Sequence, residues 1–236
     1  MLIYKTQELE KTISGRDKLY SVIAHDLRSP WGSIKMVLNM LILNLPAEKI
    51  GEEMFELLTM ANQTTEDVFA LLDNLLKWTK SQIGKLNVVY QNFDINELVD
   101  SVLEIFSMVA ELKHIKINVE KLGTALAVNA DIDMVKTVIR NLISNAIKFS
   151  NEESEIWVRT EEKDGMAYIS VQDQGCGIDE ESQKKLLHTD THYSTFGTNN
   201  EEGSGLGLLL CQDFVYKNGG KLGFTSVKGE GSTFFF

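Results

Sequence analysis

A histidine near the start of the chain stands among side chains that could support nucleophilic chemistry. His25 is followed by Asp26, Arg28 and Ser29, with Pro30 directly after them. An imidazole nitrogen can attack phosphorus, Asp26 could accept its proton or hold its tautomer, and Arg28 could hold developing phosphate charge. A proline bends a helix and frees the carbonyl one turn before it. A solvated surface histidine fits the same residues, so this stretch alone leaves both interpretations open.

A second group of polar side chains shares one face of a predicted helix. Asn141, Asn145 and Lys148 are spaced i, i+4 and i+7, which places them on the same side of an α-helix. Amide oxygens suit a hard cation, and a lysine one turn later suits the phosphates that such a cation bridges. A solvated polar stripe has the same spacing and is the alternative.

Two glycine-rich stretches follow. Asp173–Ile178 reads D-Q-G-C-G-I and comes directly after a predicted strand. Glycines there let the backbone approach a flat ligand, and the carboxylate could accept a hydrogen bond from an exocyclic amine. Gly203–Leu208 reads G-S-G-L-G-L and opens a predicted helix, whose free N–H groups attract phosphate. An ordinary turn and a flexible hinge are the respective alternatives.

The histidine is expected to lie on the first of two long helices. From about Tyr4 to Leu45 apolar residues recur at three- and four-residue steps, and Pro46 ends this pattern. A second run from about Ile50 to Ile83 keeps heptad spacing. Its doubled apolar positions need a wider interface than one pair of antiparallel helices offers. Residues 1–84 are therefore predicted to form a helical hairpin that dimerises into a four-helix bundle, with 1–14 as a coiled-coil lead-in.

The second half of the chain mixes strands and helices after a short hinge near residue 84. Helices are predicted over 96–112, from Asp131 onward and over about 205–217, with a long polar loop over about 179–202. Strands are predicted at 88–93, 115–119, 126–128, 156–160, 167–171, 221–227 and 232–236. This mixture predicts an α/β sandwich over residues 85–236, with helices on one face of a sheet.

Composition narrows the class of protein. The net charge of −11 argues against non-specific binding to nucleic acid. There is no apolar run long enough to predict a membrane segment in these 236 residues. Cys176 and Cys211 lack the spacing of a zinc site, and free thiols fit a reducing compartment. His188 and His192 are four apart, but nothing around them supports a metal site.

Taken in order, these motifs resemble those of the sensor histidine kinases of two-component systems. The stretch 25–30 is similar to the H-box, 141–149 to the N-box, 173–178 to the G1 box, 179–202 to the ATP lid and 203–208 to the G2 box. The resemblance covers essentially the whole chain. It implies a dimerisation and histidine-phosphotransfer hairpin followed by a catalytic ATP-binding domain of the Bergerat type.

The resemblance also implies ATP and Mg²⁺ as cofactors. It makes Asn145 the principal metal ligand, places Asn141 and Lys148 near the phosphates and Phe149 beside the adenine, and puts Asp173 on the adenine amino group. The remaining nucleotide contacts are expected from the glycine boxes, at Gly175, Gly177, Gly203, Gly205, Leu206 and Gly207.

The implied activity is ATP-dependent autophosphorylation of His25, with Asp26 as base, followed by transfer to an aspartate of a response-regulator receiver domain. Ser29 stands where the family often has a group that orients water, so dephosphorylation of the regulator is a further expectation. A homodimer is implied, placed in the cytoplasm as part of a longer sensor protein. An ATP-driven clamp of the same superfamily and a non-catalytic dimeric scaffold are the alternatives.

Overall fold

The chain divides into two compact units, Met1–Asn87 and Val88–Phe236. His25, Asp26, Arg28 and Ser29 lie outside the described residues, as does the 1–14 lead-in, so the predictions for them are not tested by the fold. The computed structural model describes residues 31–45, 47–55, 57–59, 61–62, 65, 68, 72–73, 77, 87–121, 123, 125–186, 197–198 and 206–236.

The described part of the first unit is mainly helical. Residues 31–44 form a helix, Ala47–Ile50 form a short one, and every described position from 52 to 77 is helical. The first helix thus ends just before Pro46, as the sequence predicts. Helical structure is confirmed for these residues, whereas the hairpin and its pairing into a four-helix bundle stay predictions. Across the described ranges, no helix is long and apolar enough to cross a lipid bilayer.

The second unit combines one large mixed sheet with a small ribbon. The large sheet has five strands in the order β2-β4-β5-β7-β6, and β1 pairs with β3 in a separate antiparallel ribbon. Within the large sheet β2 and β4 are parallel and the other neighbours are antiparallel. The strands are β1 (Gln91–Asp94), β2 (Lys116–Lys121), β3 (Ala127–Ala130), β4 (Glu155–Lys163), β5 (Met166–Gln172), β6 (Gly223–Val227) and β7 (Gly231–Phe235). The helices are α1 (Ile95–Leu112), α2 (Ile132–Phe149), α3 (Glu180–Leu186) and α4 (Gly207–Lys217).

Aspartate side chains start the two long helices. The carboxylate of Asp94 accepts a hydrogen bond from the N–H of Asn96 at the start of α1, and that of Asp131 accepts from the N–H groups of Asp133 and Met134 at the start of α2. Such caps satisfy N–H groups that have no partner inside the helix. The predicted helix start at Asp131 is confirmed.

The core lies between the helices and one face of the large sheet. Along β4, Ile156 and Val158 are buried while Trp157 and Arg159 are half-buried, the period-two pattern of a strand with one covered face. Helix α2 packs against both α1 and α4. Its inner face supplies fully buried side chains at Val138, Ile139, Leu142 and Ile143. The prediction of a sheet covered by helices is confirmed.

One helix lies where the polar composition predicts a continuous loop. Helix α3 occupies Glu180–Leu186, so the expectation of a loop throughout residues 179–202 is wrong at its start. Asp179 accepts hydrogen bonds from the N–H and the hydroxyl of Ser182, both at 2.9 Å, which caps the helix. Lys185 pairs with Glu181 one turn earlier at 2.7 Å. Because α3 buries none of its side chains, it has no apolar period to reveal it in the sequence.

Candidate nucleotide-binding site

The three predicted polar residues lie on the less buried side of α2. Asn141, Asn145 and Lys148 are each half-buried, in contrast to the buried residues on the opposite side of the helix. The amide nitrogen of Asn141 donates to the carbonyl of Thr137 at 3.0 Å, which fixes the side chain. Its oxygen lies 3.0 Å from where a Cβ on Gly207 would stand. A side chain at the first residue of α4 would stand close to this oxygen, so the N-box face and the start of α4 meet there.

Asp173 holds a carboxylate at the end of β5. The side chain is 5% exposed, and its Oδ1 accepts hydrogen bonds from the N–H groups of Gly175 at 2.8 Å and Ser232 at 3.2 Å. Burial raises the pKa of Asp173 above its ordinary value, and those two N–H groups partly offset the effect. The described residues give no hydrogen bond to Oδ2. This second oxygen is therefore available to a ligand.

The glycines of the G1 stretch are required by the protein's own packing. A Cβ on Gly175 would overlap the carbonyl oxygen of Phe149, and a Cβ on Gly177, at φ +59°, would overlap the carbonyl oxygen of Val227. Between them, the N–H of Cys176 donates to the Phe149 carbonyl at 3.2 Å. The sequence predicts glycines here for close approach of a ligand. The structure shows a close approach of the turn to the end of α2 and to the β6–β7 hairpin.

The other predicted nucleotide contacts are only partly described. Gly203 and Gly205 lie outside the described residues, while Leu206 and Gly207 begin α4. No described side chain caps this N-terminus, and the N-terminal end of a helix suits an anion. At the end of α2 the ammonium of Lys148 lies 5.1 Å from the centre of the Phe149 ring, so a cation and an aromatic face stand side by side.

Lys113 and Thr198 join this region, although the sequence did not single out Lys113. Lys113 is 7% exposed, and its ammonium donates to the carbonyls of Ile147 and Lys148 at 3.0 and 3.2 Å and to the hydroxyl of Thr198 at 2.6 Å. The only local signal was a basic residue at the end of α1. Its partners lie too far along the chain for a sequence pattern to reveal.

The donor set fits a magnesium ion bound together with phosphates. Mg²⁺ prefers oxygen ligands, keeps several waters and takes one or two oxygens from the protein. The amide of Asn145 is half-buried on the same helix face as Asn141. The described part of this face thus presents amide oxygens and, one turn later, the ammonium of Lys148.

Residues 130–236 match the family described as histidine kinase-, DNA gyrase B- and HSP90-like ATPase. This match covers 107 of the 236 residues, so the segment is similar to that family of ATPases. This matched segment includes α2, the Asp173 turn and α4, whereas Lys113 lies before it.

Individual relatives agree with this assignment. The adaptive-response sensory kinase SasA of Crocosphaera subtropica is 29% identical over 98% of this chain. The catalytic domain of histidine kinase ThkA is 29% identical with a TM-score of 0.55, covering 63% of this chain and 93% of that one. Full-length ShkA, solved with AMPPNP, shares the fold with a TM-score of 0.68 and 23% identity, over 93% of this chain and 45% of that one. The chain spans 61% of the length of SasA.

Proposed function

We propose that this chain is the core of a sensor histidine kinase that transfers the γ-phosphoryl group of ATP to His25. The observation that carries the proposal is that three features lie on α2 or on the turn that packs against its end. These are the Asn141 face against Gly207, the buried carboxylate of Asp173 and the Lys148–Phe149 pair. Each feature suits a different part of a nucleotide.

The carboxylate of Asp173 selects the base. Its Oδ1 is already occupied by two backbone N–H groups, so Oδ2 accepts the exocyclic amine of adenine. Phe149 offers an apolar ring beside it. Gly175 and Gly177 act by letting the turn pack against α2 and the β6–β7 hairpin, which holds the carboxylate in place.

The phosphates are assigned to a lysine and to backbone N–H groups of the same site. Lys148 supplies a positive charge, and the N-terminus of α4, with Leu206 and Gly207 and the preceding Gly203 and Gly205, supplies backbone N–H groups. Asn145, with Asn141 beside it, would hold Mg²⁺, which when bound neutralises phosphate charge and aligns the phosphoryl group for transfer.

In the transfer step a nitrogen of His25 forms a bond to the γ-phosphorus as the bond to the bridging oxygen breaks and ADP leaves. Asp26 accepts the imidazole proton, and Arg28 stabilises the charge on the transferred group. Such transfers depend mainly on positioning and charge neutralisation. The phosphoryl group then passes to an aspartate of a response-regulator receiver domain, and Ser29 orients water for removing it from the regulator. ThkA has been solved in complex with response regulator protein TrrA, and we propose the same class of partner here.

The first unit supplies the dimer in this proposal. In the single chain Met40 is 57% exposed, Leu43 82% and Leu57 55%. Apolar surface of this extent favours association. A second copy forming the four-helix bundle would cover it. Since ATP is the substrate, we place this dimer in the cytoplasm as part of a longer sensor protein.

The test is labelling with [γ-³²P]ATP and Mg²⁺. The wild-type protein should acquire label that is stable in base and lost in acid, as expected of a phosphoimidazole. His25→Ala should acquire none, and His114→Ala, which alters an exposed histidine outside the site, should label normally. Equal labelling of His25→Ala would overturn the assignment. Steady phosphate release without labelling would instead favour an ATP-driven clamp, and absence of ATP binding would favour a scaffold.

A further inference from the structure

The last carbonyl groups of α2 accept hydrogen bonds from separate parts of the chain. The end of a helix leaves carbonyls without partners inside the helix. Here the ammonium of Lys113, at the end of α1, donates to Ile147 and Lys148, and the N–H of Cys176, in the glycine turn, donates to Phe149. These carbonyls belong to the turn that carries two of the residues assigned to the nucleotide.

Thr198 adds a third connection to the same turn. Its N–H donates to the carbonyl of Lys148 at 3.1 Å, and its hydroxyl lies 2.8 Å from the carbonyl of Ser150. The same hydroxyl accepts a hydrogen bond from the ammonium of Lys113 at 2.6 Å. Lys113 and Thr198 therefore hold the Lys148 carbonyl jointly and also hold each other.

The position of Lys113 favours a strong interaction. The residue is 7% exposed, and among the described residues its ammonium donates to two carbonyls and one hydroxyl. A positive charge at the C-terminal end of a helix is also favoured by the helix dipole. Hydrogen bonds from a charged donor are stronger than neutral ones. Loss of this ammonium would leave the turn at Lys148 and Phe149 less constrained.

We propose that Lys113 is a positioning residue of the nucleotide site, which acts with Thr198 through the carbonyls of Ile147 and Lys148 to hold the Lys148–Phe149 turn against the nucleotide. The inference rests on the proposed binding of ATP at this turn, but not on the transfer to His25. Two roles are thus distinguished at the end of α2, contact with the ligand and positioning of the residues that make the contact. Lys148 and Phe149 contact the ligand, and Lys113 sets where they stand.

The test is a set of matched substitutions in the full chain. Lys113→Met keeps the length of the side chain and removes the charge, and Thr198→Val removes only the hydroxyl. Lys116→Met is the control, because it makes the same change three residues away at a side chain that is 67% exposed. Three quantities are measured for each protein. They are the Mg²⁺-ATP affinity by calorimetric titration, the autophosphorylation rate at saturating ATP, and the melting temperature without nucleotide.

Lys113→Met should weaken ATP binding about tenfold, the size expected for one charged hydrogen bond. The phosphorylation rate at saturating ATP should stay close to the wild-type rate, since an interaction that only holds the bound nucleotide changes KM and not kcat. Thr198→Val should weaken binding about threefold, and Thr198→Ser, which keeps the hydroxyl, should restore it. In the double variant Lys113→Met/Thr198→Val, the loss of ATP-binding free energy should be smaller than the sum of the two single losses, because both changes remove the same shared hydrogen bond. Lys116→Met should bind ATP as the wild type does.

A purely structural role gives a different result. If Lys113→Met and Thr198→Val melt at lower temperature but bind ATP with wild-type affinity while folded, the inference is overturned and the proposed function stands. If the two effects on affinity are fully additive, the shared action of the two residues is overturned. If the wild-type protein itself fails to bind ATP, the proposed function fails and the inference with it.

Discussion

Asp173→Asn tests how the site selects its base. Oδ1 of Asp173 already accepts from the N–H groups of Gly175 and Ser232. An asparagine must place its oxygen at the same position to keep those two hydrogen bonds. Its NH₂ group then takes the position of Oδ2 and faces the adenine amine, so a donor meets a donor.

The size of the effect on binding follows from the hydrogen bond that is lost. A hydrogen bond to a charged acceptor contributes about 1.5–3 kcal/mol, so ATP affinity should fall about 10- to 100-fold. The ratio of ATP to GTP affinity should fall as well, because the oxygen of guanine at the corresponding position can accept from the new NH₂ group. Calorimetric titration with each nucleotide measures both quantities.

The same variant should be more stable than the wild type without nucleotide. Burial raises the pKa of Asp173, so the folded state binds this proton more tightly than the unfolded state. The wild-type free energy of unfolding therefore loses a contribution as pH rises from the ordinary carboxyl pKa through the raised value. Asparagine does not ionise. The difference in melting temperature between Asp173→Asn and the wild type should therefore increase over this pH interval and stay constant above it.

Asp164→Asn is the matched control. Asp164 is exposed in the turn between β4 and β5, at φ +54°, where asparagine is equally well accepted. It should change neither ATP affinity nor the pH dependence of melting. Wild-type ATP affinity in Asp173→Asn would refute the assignment of the adenine amine to Oδ2. A melting temperature that falls below that of the wild type at neutral pH would refute the account of burial.

Two further predictions concern residues next to the site. In the folded protein a maleimide should modify Cys176, which is exposed, and Mg²⁺-ATP should slow that reaction. Cys211 should react only when the protein unfolds, because it is buried and burial raises the pKa of its thiol. Mass spectrometry of the two cysteine peptides decides this, and equal labelling of both would contradict it. Gly175→Ala should cost about 1–3 kcal/mol of stability and lower ATP affinity, because its Cβ would overlap the Phe149 carbonyl. Gly219→Ala, at φ +81° with no neighbour within 4 Å, should lower stability without changing ATP affinity, and a loss of ATP affinity there would count against the packing argument.

The long elements of the second unit could be predicted because their signals are local. The apolar period of α2 and the capping carboxylate of Asp131 lie within a few residues of each other, and the β4–β5 hairpin turns at Asp164 and Gly165, a standard turn pair. Helix α3 was missed because it buries nothing. A cap and an ion pair are weaker signals than a stripe of apolar residues.

The contacts that build the site could not be predicted in the same way. The pairing of Lys113 with Thr198 joins residues 85 positions apart, and the overlap that makes Gly175 necessary involves the end of another element. Sequence motifs assigned Asn141, Asp173 and Gly207 to one site, and the fold brings Asn141 and Gly207 together. They did not reveal that Gly175 serves internal packing or that Lys113 is buried.

The parallel pairing of β2 with β4 has a consequence for the order of folding. Lys116 lies opposite Glu155, and parallel strands need a crossover, which here includes the whole of α2. Closing so long a loop costs entropy before its contacts form. Lys113 lies just before this crossover and its acceptors on α2 lie near its end, so the loop closes and the end of α2 is fixed in the same event. The Lys148–Phe149 turn is therefore fixed only once β2 and β4 have paired.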